Sequence, residues 1–330
     1  MNGNSTNPIQ SAPQRGIPTM VHRAFCPACG TASGPAIVQL PYDRPPIAAY
    51  LADFYRPYPS CDFGRLTAAS FTLAECPRCA CIYQLDVPDD AFLSDFYGAL
   101  RTNESAGTSI DADHREQQVR ELLMVIRFLQ RDIARPKVLD FGCGGGNWAL
   151  LAETLGLPTT ATDLSDEAAN RLRARGIEWI SPFNIGDAWC DFINTEQVFE
   201  HLVNPQDIVR RLSQALRPGG ILKIGVPHHP TLRAKLKKPD WTAQKSSPRS
   251  LNAVAPIEHL NHFESASLVA LAARAGLKPL YPIGWELVPE SGLRRHLTLK
   301  RRVALYLKRR LRDVYRPYHI LTQTMFFRKH

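Results

Sequence analysis

Beyond residue 110 the apolar positions alternate between two periods. Val119, Leu122, Leu123, Ile126 and Leu129 recur at helical spacing, which predicts a helix from about 114 to 133 capped by Asp111 or Asp113. Short apolar runs follow, predicting strands at 137–141, 158–163, 177–180, 191–196 and 220–226. Amphipathic stretches between and after them predict helices at 147–155, 166–175, 205–216 and 265–275. Two later strands, about 278–285 and 320–328, flank a helix near 297–314. Strands alternating with helices imply a parallel sheet with crossover connections, here a doubly wound α/β domain over 111–330. Residues 21–100 are patterned differently. Their interior, 41–66, is rich in Pro and aromatics and reads as mostly irregular, with the aromatics forming the small core of a separate module. Residues 1–20 are polar, carry no apolar run that would suit a signal peptide, and are expected to be a disordered tail.

Composition narrows the function classes. The chain has 330 residues, 44% hydrophobic and 22% charged, enough to bury a sizeable core. No run of 18 apolar residues occurs, so a spanning helix is not expected and a cytoplasmic location is. The net charge of +9 is unevenly placed: residues 291–330 hold twelve Lys/Arg and one acid, leaving 28 basic and 30 acidic residues elsewhere. A uniformly basic nucleic-acid binder is excluded by that distribution. The helix near 297–314 carries the charge around an apolar face of Val303, Leu307, Leu311 and Val314. It either packs on the sheet with a solvated basic face or makes peripheral contact with an anionic partner, such as a membrane surface or a lipid-linked glycan.

Four of the eight cysteines form two Cys-Pro-x-Cys pairs, Cys26/Cys29 and Cys76/Cys79, 46 residues apart. In a reducing compartment such pairs favour a structural zinc held by four thiolates over disulfides, the alternatives being a redox pair or unrelated buried thiols. Small residues after the second cysteine, Gly30 and Ala80, suit tight knuckles. Cys81 is an alternative ligand to Cys79, whereas Cys61, Cys143 and Cys190 have no partner pattern.

The strand at 137–141 runs directly into Gly142-Cys143-Gly144-Gly145-Gly146 and then a helix. The third glycine of a dinucleotide fingerprint would fall on Asn147, so that pattern fails. What stands there is D-x-G-x-G-x-G, Asp140 through Gly146. The next strand ends in Asp163, 17 residues on, where an acid can accept both hydroxyls of a ribose. Glu200-His201-Leu202 follows the fourth strand and Leu216-Arg217-Pro218-Gly219-Gly220 precedes the fifth. Together these segments resemble the class I S-adenosylmethionine-dependent methyltransferases over about 137–285. That resemblance implies a seven-stranded Rossmann-like sheet. It also implies cofactor contacts from Asp140, Gly142, Cys143, Gly144, Gly146, Asp163, Leu164 and Gln197.

The cysteine module adds a second resemblance, to methyltransferases of the sugar C-methylating and natural-product type, which place a four-cysteine zinc module before this domain. Their Tyr-x-Glu-His-x-x-Tyr-Phe segment is matched at Glu258, His259 and Phe263, with Pro256 and His262 in place of the tyrosines. It implies catalytic roles for Glu258 and His259. An acceptor proton must be removed during transfer to a sulfonium-activated methyl, and histidine titrates near working pH. His259 is the first choice as base, Glu258 its orienting or substrate-binding partner, and His201 at the mouth of the crevice the next choice. In some quinone-pathway methyltransferases a Glu-x-x-Glu-His segment after strand four binds a divalent ion. Gln197 stands at the first of those positions, so no catalytic metal is expected. The expected acceptor is a small molecule, a glycan or a nucleotide-sugar, with nucleic acid not expected. An rRNA methyltransferase with a zinc finger and a non-catalytic scaffold are the alternative functions.

Overall fold

The computed structural model describes residues 20–58, 60–102, 112–129, 133–245, 247–280 and 321–330. Apart from Met20, the expected tail over 1–20 and the basic helix at 297–314 lie outside these residues.

In chain order the first part holds β1 (Met20–His22), β2 (Ala36–Pro41), α1 (Ile47–Phe54), β3 (Ser70–Glu75), β4 (Ile82–Gln84), β5 (Asp86–Pro88) and α2 (Asp90–Thr102). The second holds α3 (Ala112–Leu129), β6 (Val138–Phe141), α4 (Asn147–Thr154), β7 (Thr159–Thr162), α5 (Asp166–Ala174), β8 (Glu178–Trp179), β9 (Cys190–Glu196), α6 (Pro205–Ala215) and β10 (Leu216–His228). After it come α7 (Leu232–Lys237), β11 (Asn261–His262), α8 (Ser265–Ala273), β12 (Leu277–Pro279) and β13 (Leu321–Lys329).

Seven strands form one sheet in the order β12-β13-β10-β9-β6-β7-β8. The five from β10 to β8 run parallel, and β13 is antiparallel to both its neighbours. The apolar runs that predicted strands are buried along their length, Val138 to Phe141 and Cys190 to Thr195 among them, because helices cover both faces. Strand order reverses at β6: the chain moves outward through β7 and β8, then returns to β9 on the other side. The crevice at the carboxyl ends of β6 and β9 is therefore the expected ligand site.

Residues 41–66 are more regular than their composition suggests. Ile47, Tyr50 and Leu51 bury one side of α1, so packing overrides the Pro-rich flanks. The aromatics Tyr42, Tyr50, Tyr55, Phe71, Phe92 and Phe96 are indeed core. That core is not closed by residues before 103 alone. Leu232, Trp241, Leu251, Val254, Ile257 and Leu260, from the connection after β10, pack into it. The same connection contributes β11 to the four-stranded sheet β11-β4-β3-β2.

Candidate functional site

The loop after β6 is shaped by left-handed glycines. Gly142, Gly144 and Gly146 have φ of 73°, 50° and 74°, a region that disfavours side chains. A Cβ on Gly142 would strike Val198, whereas one on Gly144 would meet no atom within 4 Å. Gly144 thus faces the open crevice. Its N–H donates to Asp163 Oδ2 at 2.9 Å, and Asp163 Oδ1 accepts from Ser165 N at 2.9 Å. Leu164, next in sequence, is 65% exposed.

Asp140 lies behind the loop and is buried. Its Oδ1 accepts from Asn194 Nδ2 at 2.8 Å, while Oδ2 has no hydrogen-bond partner. Burial raises its pKa to about 7 despite that bond. On the facing strand end, Gln197 holds φ of 55°, with its N–H donating to Gly225 O at 2.9 Å. A buried carboxylate with one orphan oxygen, a strained residue opposite and an open glycine between them fit a ligand carrying a cation and a ribose.

The histidines expected to act come together from distant parts of the chain. His201 Nδ1 donates to the Glu258 carbonyl at 2.8 Å, and its ring centroid lies 5.0 Å from that of His259. Glu200 is 1% exposed with neither carboxylate oxygen hydrogen-bonded; Oε1 lies 3.7 Å from His201 Nε2. Burial raises the Glu200 pKa to about 7. His259 Nδ1 donates to Asn252 O at 2.5 Å, and burial lowers its pKa to about 4, so the ring is neutral. Burial pushes the Glu258 carboxyl up, but His259, Lys245, His201 and a hydrogen bond from Tyr55 Oη at 2.8 Å together bring its pKa below the ordinary value. The adjacent Ile257 holds φ of 71°, costly for a β-branched residue.

Several residues here escaped the sequence reading. Arg23 is buried and donates to Gln84 O, Leu260 O, Asn261 Oδ1, Leu202 O and Val203 O, all within 3.3 Å. Asn261 Nδ2 donates to Phe199 O and Leu202 O. These two residues clamp the 199–203 turn against the 258–261 segment. Tyr97 Oη donates to Glu258 O at 3.2 Å. Phe183, beyond β8, is 85% exposed. A lone buried arginine carries no local sequence signal, but an aromatic just beyond the third parallel strand could have been flagged.

The four cysteines of the two pairs converge as the spacing predicts. Cys26 and Cys79 Sγ are 3.6 Å apart, Cys29 and Cys76 Sγ 3.4 Å, and all four lie within 4.8 Å of one another. Gly30 and Ala80 both hold positive φ, and their N–H groups close equivalent turns onto Cys26 O and Cys76 O. Cys81, buried beside them, stands outside this set of four. A cavity of about 550 Å³ lined by Lys137, Glu153, Thr159, Glu178 and Trp189 opens where the parallel strands begin, at the edge opposite the crevice.

A family model described as "Methyltransferase domain" matches residues 112–281. A ubiquinone biosynthesis O-methyltransferase of Xanthomonas oryzae pv. oryzae is 31% identical over 102 residues, covering 28% of this chain and 43% of that protein. A protein of the same name from Idiomarina loihiensis is 33% identical over 98 residues, covering 26% and 39%. The chain thus spans about two fifths of the length of these curated relatives. Among solved structures, a 1,6-didemethyltoxoflavin-N1-methyltransferase of Burkholderia thailandensis aligns with TM-score 0.42 at 18% identity, over 72% of this chain and 86% of that one. A putative sarcosine dimethylglycine methyltransferase from Galdieria sulphuraria aligns with TM-score 0.41 at 16% identity, over 73% and 98%.

Proposed function

Because the chain belongs to the methyltransferase-domain family, we propose that it methylates a small-molecule acceptor with S-adenosylmethionine as donor. The observation that carries this reading is the open, left-handed Gly144 at the switch point, hydrogen-bonded to Asp163. Asp163 accepts the ribose hydroxyls, and Leu164 and Phe183 wall the adenine. Gly142, Cys143 and Gly146 shape the loop. Asp140 and Gln197 meet the amino-acid end, where the orphan Oδ2 gains a partner. The cofactor supplies a methyl group already activated on a sulfonium.

The protein's own part is to orient the acceptor and take its proton. Of the two histidines the His201 side chain is the more exposed, 27% against 7% for His259, which supports His201 as the base in this reading. Its Nδ1–H is committed to the Glu258 carbonyl, which leaves Nε2 as the basic atom. When Nε2 takes the proton, the Glu200 carboxylate supplies the compensating charge. His259 and Glu258, tied to Asn252 and Tyr55, fix the His201 ring from behind. The relatives named ubiquinone biosynthesis O-methyltransferases favour an oxygen acceptor.

We read the four cysteines as a structural zinc site. Their separations suit a tetrahedron with Zn–S of about 2.3 Å and far exceed the S–S bond of about 2.0 Å. In this reading residues 21–100 form a zinc-stabilised module that backs the catalytic loops of a unit over 111–330.

Thermal melting tests the cofactor assignment. S-adenosylmethionine or its demethylated product should raise the melting temperature of the wild type by mass action. Asp163→Ala and Gly144→Val should each abolish the rise, and a normal rise in both overturns the reading.

A further inference from the structure

Where the seven-stranded and four-stranded sheets meet, three side chains have no part in the chemistry above. His228 ends β10, His262 lies in β11 and Glu264 stands at the start of α8. Each can offer one ligand atom, and these atoms lie within 4.8 Å of one another. The two imidazoles stack at 6.3 Å and 9°. His262 is 2% exposed, yet neither of its ring nitrogens has a hydrogen-bond partner. His228 Nδ1 is also buried without one, 3.9 Å from Glu264 Oε2. Buried ring nitrogens almost always find a donor or acceptor, so orphan nitrogens on two imidazoles, one from each ring within reach of a carboxylate, call for a ligand that accepts lone pairs.

We infer that His228, His262 and Glu264 form a second metal site, for a divalent first-row transition ion. Two imidazoles and one carboxylate are the donor set that suits zinc, iron, cobalt or nickel and not magnesium or calcium. The Glu264 carboxylate is already oriented. Arg233 Nη1 donates to its Oε1 at 2.7 Å, the Ser267 N–H donates to the same carboxylate in the capping box of α8, and Arg233 Nε is held by Glu75 at 2.7 Å, so the oxygen nearest His228 Nδ1 is Oε2. Such outer partners fix a ligand's direction, and the second carboxylate offsets the guanidinium charge. The His228 and Glu264 side chains are 25% and 21% exposed, so three protein ligands leave a position open to water or a ligand oxygen. The site differs in kind from the four thiolates. It also uses neither Glu200 nor His201. His262 stands where the sugar-type segment has tyrosine, so this ligand is a departure of this chain.

The test is cobalt(II) titration of the full chain with its thiolate site already filled with zinc, followed by calorimetry and X-ray absorption. One further equivalent should bind, with nitrogen and oxygen neighbours and no sulfur. His228→Ala and His262→Gln should each lose that equivalent, while the thiolate-bound zinc and the rise in melting temperature with S-adenosylmethionine stay as in wild type. That rise reports the methyltransferase reading separately, so the two can fail independently. The inference is overturned if wild type takes up no cobalt beyond the exchange of zinc. It is equally overturned if both variants bind cobalt as wild type does, or if only His201→Ala abolishes binding.

Discussion

At the scale of single residues, the site is built from groups that fold at a cost. Asp140 is the clearest case. Its pKa stands at about 7 against 3.8 in an unfolded chain, because burial opposes its charge. The folded state therefore holds the proton more tightly, and stability falls as pH rises from the ordinary carboxylate range through about 7. Asp140→Asn removes the charge with little change of shape. The unliganded variant should match wild type near pH 4 and melt higher at pH 8, by a difference on the order of a few kcal/mol. It should also lose its response to S-adenosylmethionine. Melting curves at the two pH values check both halves. The histidines give a second prediction. His201→Ala should lower turnover by about 10²–10⁴-fold with cofactor affinity unchanged. His259→Ala, acting through position, should lower it less. Single-turnover rates decide, and an order reversed between the two variants returns the base to His259.

Between elements, the crevice depends on contacts that span the chain. Arg23 follows β1, yet its guanidinium serves carbonyls near positions 84, 202 and 260. Burial lowers its pKa to about 10, so it stays charged at neutral pH. Arg23→Met keeps the stem volume but strands those carbonyls, and should destabilise by about 3 kcal/mol or more, read as a shift in urea midpoint. Turnover should fall further than stability explains, because the 199–203 turn carries His201. These contacts also mark the limit of what sequence gives. The glycine loop, Asp163 and the parallel strands were legible because their signals are local: a period, a spacing, a glycine after a strand. The cysteine knuckles were legible for the same reason. Tyr55 on Glu258, 203 residues apart, was not, nor was the relative exposure of His201 and His259. Both depend on how the connection after β10 folds back. No periodicity within that connection says which core it joins.

For the whole molecule, side chains distant in sequence join its sheets. The aromatic core beside the four-stranded sheet is completed by Trp241, Leu251 and Ile257, and Arg233 reaches both Glu264 and the carbonyl of Ala80 in a cysteine knuckle. Among the described residues no helix is long and apolar enough to cross a membrane. Coupling of this kind predicts how metal removal behaves. The thiolates of the purified protein should hold about one zinc, which cysteine substitution releases and His228→Ala does not. Cys26→Ser or Cys76→Ser should lose it, lower the melting temperature and depress turnover together. Metal analysis beside activity checks this; full activity without the metal would separate the units.

Strand β11 has one further consequence. It is only two residues long, yet it covers the edge of β4, and it is made some 180 residues later. While the chain emerges during synthesis, the amino-terminal sheet must wait with that edge bare until His262 has left the ribosome. A chain stopped before Asn261 would carry the bare edge permanently. Such a fragment should self-associate through β4, whereas one extended past His262 should not.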